Sequence, residues 1–240
     1  CNGQLGNEIT KIFESSGWDI FGLDTSPTTI NKSLLAYVSG SVTKRDDFLK
    51  LFQKSRNKIK DCDDICLINN AGIAVFTPSE ERTYEEFLAV SEVNLLGPLY
   101  GCTEFYKFID KNNLNSSNPK IINIGSIYGQ ISPNKSIYTD TERSSSEIYG
   151  ATKAGVIQMT KYFATRYADA GISVNCVSPG GVLNKKLQGP DFIRNYSKLV
   201  PMKRLCKDTE VSSLIFSLVN SDSKYLTGQT ISIDGGMTSW

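Results

Sequence analysis

The sequence predicts an α/β fold in which helices cover both faces of one parallel, doubly wound sheet. Helical and strand patterns alternate along the chain, and the strand segment 65–68 is apolar at every position. A strand without a polar face suits a parallel sheet that is buried on both sides. The chain has 240 residues and no linker-like stretch divides it, so we expect a single domain.

The predicted elements support this fold in chain order. Apolar residues at helical spacing place the first helix over 5–13, and Gly17 ends it. A capping box of Thr43 and Asp46 opens the second helix. The further predicted strands are 18–24, 65–68, 120–124, 173–177 and 230–233, and the further predicted helices are 83–95, 98–111, 149–170 and 208–220.

Two long segments, 127–148 and 180–201, are predicted to be irregular. Both follow strand ends, which is where open α/β sheets bind their ligands. Loops of this length inside a compact domain are often functional. The sequence therefore predicts that both segments border a binding cleft.

Composition and charge exclude several function classes. The 26 Lys and Arg residues balance the 25 Asp and Glu residues, which leaves no basic arm for nucleic acid. The apolar runs are too short to cross a membrane, so we expect a cytoplasmic protein without nucleic-acid or membrane partners. The absence of histidine excludes triads and zinc sites that use imidazole. The six scattered cysteines predict reduced thiols rather than disulfides or a metal site.

A turn with two glycines opens the first helix. Gly3 and Gly6 allow the backbone to approach a pyrophosphate, and the helix start supplies free N–H groups, although a plain glycine turn is the alternative. Asp24 follows 18 residues after Gly6, at a strand end where a carboxylate binds ribose hydroxyls. Because no Lys or Arg follows at 25–27, the sequence favours NAD over NADP.

Further polar groups follow the ends of later strands. The sequence Asn-Asn-Ala-Gly at 69–72 follows one strand, and Ser126 follows the next. Tyr149 and Lys153 lie four residues apart, on one face of a helix. Each pattern alone is equally compatible with an ordinary turn or a chance spacing.

In combination these patterns extend along the whole chain. They are Gly3, Gly6, Asp24, Asn-Asn-Ala-Gly at 69–72, Asn94, Ser126, Tyr149, Lys153, Pro-Gly at 179–180 and Asp-Gly-Gly at 234–236. In this order they resemble the short-chain dehydrogenase/reductase family, whose domain is a Rossmann-like, doubly wound sheet. The resemblance implies cofactor contacts from Gly3, Gln4, Leu5, Gly6, Asp24, Ser41, Val42, Asn70, Ala71, Gly72, Tyr149, Lys153, Pro179, Gly180 and Val182.

The resemblance also implies a mechanism. Tyr149 is the base that removes the proton of a secondary alcohol while hydride passes to NAD, and Lys153 lowers the pKa of the Tyr149 phenol. Ser126 hydrogen-bonds the substrate oxygen, and Asn94 holds a water beside Lys153. The resemblance further implies a homodimer or homotetramer that forms through long helices, including 83–111 and 149–170.

The sequence departs from the family pattern at three places. Gln4 stands where compact members have their second glycine. The strand that precedes the glycine turn in the family is absent from the sequence, so we expect roughly 10 further residues ahead of Cys1. Ser126 and Tyr149 are 23 residues apart, which is longer than the usual spacing because of a polar insert.

The substrate side of the cleft is predicted from the two irregular segments. The insert 127–148 is rich in hydroxyl groups and includes Tyr128 and Arg143, and the segment 180–201 contributes Arg194. A hydroxyl-rich wall with arginines suits a sugar phosphate or a nucleotide sugar. Solvated surface charges are the alternative. Residues 218–240 are similar to family members from flagellin-glycan (nonulosonic acid) loci, which implies flagellin modification.

Two rival functions stay open at this point. One is a regulatory or scaffold protein that binds NAD without turnover, because Gln4 alters the phosphate-binding turn. The other is a dehydratase or epimerase that uses the same four side chains, but such enzymes resemble longer family members with a separate substrate domain. The four intact catalytic residues favour an oxidoreductase.

Overall fold

The computed structural model describes residues 1–59, 62–115, 118–139 and 145–240. Within these residues helices and strands alternate, as the sequence predicts. The strands are β1 (Phe21–Asp24), β2 (Ala36–Ser39), β3 (Ile65–Asn69), β4 (Pro119–Ile124), β5 (Ser173–Pro179) and β6 (Thr230–Ile233). The α-helices are α1 (Gln4–Ser15), α2 (Arg45–Ser55), α3 (Tyr84–Ser91), α4 (Gly97–Lys111), α5 (Glu147–Arg166), α6 (Pro190–Leu199) and α7 (Asp208–Val219).

Every pair of neighbouring strands in the described residues is parallel. β1 pairs with β2, while β3, β4, β5 and β6 form a second sheet in that order. Parallel neighbours need crossover connections, and α3 with α4, α5, and α6 with α7 supply them in the second sheet. The prediction of an α/β, Rossmann-like single domain is confirmed.

Apolar clusters cover both faces of the second sheet. On one face Phe48 of α2, Phe105 of α4 and Phe163 of α5 pack on β3 to β5. On the other face α1 and α7 pack against the same strands. All six residues of β4 are buried because successive side chains point to opposite, covered faces. This arrangement is the doubly wound sheet.

A gap separates the two sheets. β1 and β3 are not paired with each other, and a cavity of about 840 Å³ is lined by both strands and by α1, α2 and α4. Protein interiors contain few voids larger than a water molecule, so a space of this size inside apolar elements is exceptional. It lies beside the strand edges that a further strand would pair with, and that strand stays a prediction.

Helix starts differ in part from the predicted ones. The capping box of Thr43 and Asp46 is wrong: α2 begins at Arg45, and no side chain caps it. Thr43 Oγ1 instead lies 2.9 Å from Ser41 Oγ, and Asp47 Oδ2 accepts the Ser41 N–H at 3.0 Å. These short-range bonds use the polar groups that a cap would need.

Two short elements escaped the sequence prediction. β2 has four residues, too few for a distinct alternation, and α6 lies inside the segment that was predicted to be irregular. Pro190 stands at the start of α6, where proline is tolerated because the first N–H groups of a helix lack internal partners. No helix among the described residues is both long and apolar enough to cross a membrane.

Candidate active site

The carboxyl ends of four strands bring the predicted residues to one edge of the fold. Asp24 ends β1, Asn69 ends β3, and Pro179 ends β5. Ser126 follows β4 by two residues. Because parallel strands end at the same edge, these side chains meet there even though they are far apart in the chain.

Asn94 lies in a π-helical segment, Glu92–Leu96, between α3 and α4. Its side chain is completely buried. Asn94 Oδ1 accepts the Ile73 N–H at 2.9 Å, while Nδ2 donates to the Ile73 carbonyl at 3.0 Å and to Thr152 Oγ1 at 3.1 Å. The amide therefore fixes the loop after β3 to α5, and the wider π turn points it inward.

Ser126 and Tyr149 form the next pair of the site. Ser126 Oγ accepts the Tyr128 N–H at 3.1 Å, which orients the hydroxyl. Tyr149 stands in the first turn of α5, where Ser146 Oγ accepts its N–H at 3.3 Å. Burial raises the pKa of the Tyr149 phenol, and a hydrogen bond with the Ser126 side chain partly offsets that rise. The two hydroxyls are therefore adjacent.

Lys153 lies one helical turn after Tyr149 and is buried. Its Nζ is 5.7 Å from the centroid of the Tyr149 ring and donates to the Ile124 carbonyl at 2.8 Å. Burial lowers the pKa of Lys153 to about 8, because a desolvated ammonium is costly. A side chain at Gly72 would approach Lys153 Nζ to 3.3 Å, so glycine leaves this position open.

The four predicted catalytic residues thus converge on one site. They come from the π-helical segment, from the end of β4 and from α5, and the Asn94–Thr152 bond links two of these elements. Sequence reasoning missed Thr152, which is completely buried. Its position three residues after Tyr149, on the same helix face, was the available signal.

The phosphate turn, defined here as residues 1–6, lies beside the loop after β3. A side chain at Gly6 would approach Cys1 Cα to 2.9 Å and Asn70 Nδ2 to 3.1 Å, so the close packing requires glycine. Gly3 is the extended residue before α1, and Leu5 packs partly into the apolar cluster beneath. Free N–H groups of the first turn of α1 suit an anion at this position.

Asp24 is tied to the phosphate turn. Its Oδ2 accepts the Asn2 N–H and the Cys1 ammonium at 2.9 Å each, and its Oδ1 accepts the Ser26 N–H at 3.1 Å. Burial raises the pKa of this carboxyl, but the three donors outweigh burial and hold the pKa well below its usual range. A carboxylate with a lowered pKa at this strand end suits the ribose of a dinucleotide.

The remaining predicted cofactor residues border the same edge. Ser41 and Val42 follow β2. Val42 packs closely on Gly97, because a Cβ atom at position 97 would lie 2.9 Å from Val42 Cγ2. Gly180 donates its N–H to the Ile233 carbonyl at 3.0 Å, and Val182 forms a parallel bridge with Cys206. Ala71 and Gly72 are exposed beside Asn70.

The predicted substrate residues lie in different surroundings. The Tyr128 hydroxyl is buried and has no hydrogen-bond partner within the described part of the chain. Arg194 is exposed on α6 and forms an ion pair with Asp191 of the same helix. Arg143 lies outside the described residues. The structure thus brings Tyr128 next to the catalytic serine, while Arg194 already has a carboxylate partner.

The segments predicted to be irregular pack on each other. Ile127 and Ile137 share an apolar cluster with Tyr196 of α6 and with Val200, which follows that helix. Tyr196, which sequence reasoning missed, accepts the Gly181 N–H through its hydroxyl at 2.5 Å. The only available signal was its position within the amphipathic segment of α6. No group of three or more His, Cys, Asp or Glu side chains suited to a metal ion occurs among the described residues.

Fold and site together define an oxidoreductase that depends on a nicotinamide dinucleotide. The chain belongs to the short-chain dehydrogenase/reductase family, and residues 4–238 match the family model described as Enoyl-(Acyl carrier protein) reductase. It is 31% identical over 247 residues to 3-oxoacyl-(acyl-carrier-protein) reductase FabG of Thermotoga maritima, covering 97% of this chain and 93% of that protein. It is 30% identical over 204 residues to glucose 1-dehydrogenase of Gluconobacter oxydans, covering 83% of this chain and 71% of that protein.

Solved structures agree with this family assignment. A short chain dehydrogenase from Leptospira borgpetersenii with bound NAD+ has a TM-score of 0.88 and 36% identity, over 99% of this chain and 89% of that chain. ElxO with NADP bound has a TM-score of 0.82 and 25% identity, over 99% of this chain and 95% of that chain. Relatives of this chain therefore bind either dinucleotide.

Proposed function

We propose that this protein interconverts a secondary alcohol and a ketone, with Asn94, Ser126, Tyr149 and Lys153 as its catalytic residues. The observation that carries the proposal is the adjacency of the Ser126 and Tyr149 hydroxyls with the buried Lys153 one helical turn away. A scaffold protein without turnover would have no need for a buried ammonium beside a phenol. Bound NAD supplies the hydride acceptor in oxidation and the hydride donor in reduction.

Each of the four side chains has its own role in proton transfer. Ser126 donates a hydrogen bond to the substrate oxygen and holds it beside the Tyr149 hydroxyl. Tyr149 removes the hydroxyl proton in oxidation and returns it in reduction. Protonated Lys153 favours the phenolate, which opposes the effect of burial on the pKa of Tyr149. Asn94 would hold a water that links Lys153 to solvent, and its bonds to Ile73 and Thr152 fix the amide at that place.

We propose NAD rather than NADP as the preferred cofactor. Asp24 is ionised at the end of β1, and a second negative charge on a 2′-phosphate would be repelled there. The residues that follow, Thr25, Ser26 and Pro27, offer no cation. Dissociation constants for NADH and NADPH, measured by tryptophan or nicotinamide fluorescence, test this proposal, and equal values would contradict it.

We propose a sugar phosphate or a nucleotide sugar as the substrate, used in surface or flagellin glycan synthesis. Hydroxyl groups of the segment 127–139, the unpartnered Tyr128 hydroxyl, and the relatives named glucose 1-dehydrogenase support a polyhydroxylated substrate. Arg143 or Arg194 would bind the anionic group. In the case of Arg194 this requires exchange of the Asp191 carboxylate for the substrate.

A substrate panel is the test. Purified protein is assayed with NAD+ on sugar phosphates, nucleotide sugars and free sugars, and with NADH on a 3-oxoacyl thioester, which relatives named FabG reduce. We expect the highest kcat/KM with a phosphorylated or nucleotide-linked sugar. A higher kcat/KM with the thioester or with a sterol contradicts the substrate proposal, while NADH binding without any turnover would favour the scaffold function.

We also propose that the protein is a cytoplasmic homodimer or homotetramer. Tyr84, Phe87 and Leu88 of α3 are 71%, 48% and 39% exposed, and Tyr162 of α5 is 59% exposed. These large apolar side chains lie on the long helices that sequence reasoning assigned to subunit contacts. No disulfide joins cysteines of the described residues, which suits a reducing compartment. Light scattering gives the mass in solution, and a monomer at all concentrations would contradict the oligomer.

A further inference from the structure

The side chain of Gln4 joins three segments that are remote in the chain. Gln4 Nε2 donates to the Leu183 carbonyl at 2.8 Å and to Asp208 Oδ2 at 3.1 Å, and Gln4 Oε1 accepts Asn184 Nδ2 at 2.9 Å. Both ends of one amide are therefore used. The contacts connect the phosphate turn with the segment after β5 and with the first residue of α7.

The segment that Gln4 contacts is itself well organised. We call residues 182–188 the latch loop. Asn184 N–H bonds to Gln188 Oε1 at 2.8 Å, and Gln188 Nε2 donates to the Val182 carbonyl at 2.9 Å. Leu183 N–H bonds to the Cys206 carbonyl at 2.8 Å, which anchors one end. These bonds tie the loop together internally, and the Gln4 contacts attach it to the phosphate turn.

The phosphate turn carries two amide side chains, Asn2 and Gln4. Asn2, the other amide of the turn, points to the opposite side, where Nδ2 donates to the Thr28 carbonyl at 3.0 Å and Oδ1 accepts the Ile30 N–H at 3.3 Å. The turn thus has one amide toward the adenosine side and one toward the latch loop. A glycine at position 4 would make none of the Gln4 contacts.

We propose that Gln4 is a positioning residue that holds the latch loop against the phosphate turn and thereby slows entry and release of the dinucleotide. The kinetic part of this proposal rests on the proposed function, because the latch loop follows the residues expected to contact the cofactor. The structural part, that Gln4 holds the latch loop against the phosphate turn, does not depend on the proposed function. Gln4 controls how long the loop stays docked, and it takes no part in the proton chemistry at Tyr149.

Limited proteolysis tests whether Gln4 holds the latch loop, without an assay of cofactor binding or turnover. The latch loop contains Lys185 and Lys186, which are exposed and are trypsin sites when the loop leaves its docked position. Replacing Gln4 by Ala removes the three bonds, and we expect trypsin to cut after Lys185 or Lys186 about tenfold faster without ligand. Gln4→Gly is the comparison that adds backbone freedom. Gln53→Ala, on the exposed surface of α2, is the control and is expected to be cut at the original rate.

A charge exchange makes the test specific to the observed partners. Gln4→Glu places a carboxylate against Asp208 and is expected to release the loop as Gln4→Ala does. In the double variant Gln4→Glu and Asp208→Asn, the new amide donates to the new carboxylate, but the Leu183 carbonyl still lacks a donor. We therefore expect cleavage of the double variant to be slower than that of Gln4→Glu, without a full return to the original rate. Fast cleavage in both variants, or slow cleavage in Gln4→Ala, would overturn the proposal.

Kinetics then separate positioning from a general structural effect. For Gln4→Ala we expect the rate of NADH release and the KM for NAD+ to rise several-fold, and the rate of the chemical step in a single turnover to change less than the release rate does. A fall of the single-turnover rate with an unchanged KM would mean that Gln4 supports the catalytic geometry instead. If none of the variants, nor the starting protein, binds NADH, the proposed function fails while the trypsin result still decides the role of Gln4.

Discussion

The two sides of the sheet differ in how they hold their functional residues. The side made of β3 to β6 places Ser126, Tyr149 and Lys153 on elements that are packed on both faces. The side made of β1 and β2 carries Asp24 and borders a cavity of about 840 Å³. The proposed catalytic residues are therefore held by a complete core, whereas Asp24 is held mainly by backbone donors of the phosphate turn and of Ser26.

The lining of the cavity beside β1 and β2 indicates what kind of segment would fill it. Phe13 of α1, Phe48 of α2 and Phe105 of α4 line it together with both strand edges. A strand placed there would be paired on two sides and covered on two faces, so it would have to be apolar throughout. The comparison teaches that catalytic geometry and cofactor geometry in this chain depend on separate parts of the sheet.

The largest effect on turnover is expected on the side of β3 to β6. Tyr149→Phe removes the acid–base hydroxyl but leaves the buried ring, so we expect kcat to fall at least about 10²-fold. The dissociation constant for NADH should change little, because the β1 side is untouched. Steady-state kinetics and a binding titration on the same sample check both statements. Turnover that survives this change would show that Tyr149 is not the base.

The next largest effect concerns the gap between β1 and β3. We expect that extending the chain ahead of Cys1 by an apolar strand of about six residues raises Tm by about 10 °C. Cys1 lies at the carboxyl edge of the gap, since its ammonium contacts Asp24 Oδ2 at 2.9 Å, so a segment joined to it can run parallel to both neighbours. Added apolar side chains would fill the cavity and complete both hydrogen-bond ladders.

A proline variant of the same extension is the control. Proline at the centre of the segment removes a ladder donor and is not tolerated in a central strand. We expect this variant to have the Tm of the unextended chain. Hydrogen exchange at residues 21–24 and 65–69 should slow only with the apolar segment. Equal Tm values for the two extensions would refute the idea that a strand occupies the gap.

A pH-dependent effect of about 3 kcal/mol is expected from Lys153. Burial lowers its folded-state pKa to about 8, below the model-compound value of 10.5. Between these two values the unfolded chain binds more protons than the folded chain, so the free energy of unfolding increases with pH across this window. Below pH 8 both states are protonated, and the buried ammonium is a constant penalty.

Urea unfolding of matched variants between pH 7.5 and 10.5 measures this contribution. The difference in unfolding free energy between the starting protein and Lys153→Met should increase with pH, because buried thiols with raised pKa values, such as Cys102, affect both proteins alike. Lys161→Met, an exposed position on the same helix, is the control, and its difference from the starting protein should not change with pH. Parallel curves for the starting protein and Lys153→Met would mean that the ammonium is not destabilised by its site.

The smallest effect is expected on the β1 side. Asp24→Ala removes the carboxylate that faces the ribose, and we expect the preference for NADH over NADPH to narrow by about tenfold. Turnover at saturating cofactor should stay near its original value, because the catalytic residues lie on the other side of the sheet. A loss of turnover as large as that of Tyr149→Phe would show that the two sides are not independent.

The repetitive, strongly apolar elements were predictable from the sequence. The strand β3 and the helices α1, α4 and α7 lie within a few residues of their predicted bounds, because local apolar spacing reports burial directly. β2 and α6 were not predicted, since a four-residue strand and a helix after Gly189 lack a strong local pattern. The capping box at Thr43 failed because Asp47 and Ser41 satisfy each other instead.

The sequence by itself determined the fold class, because alternating helix and strand patterns require a covered parallel sheet. The grouping of Ser126, Tyr149 and Lys153 followed from the resemblance of the ordered motifs to the family. Only the tertiary structure decided which side chains contact each other over long distances in the chain, such as Thr152 with Asn94 and Gln4 with Asn184. It also decided that Arg194 pairs with Asp191 and that a cavity lies between β1 and β3. Long-range contacts of this kind depend on how whole elements pack. The spacing of residues along the chain does not indicate which distant side chain lies opposite a given residue.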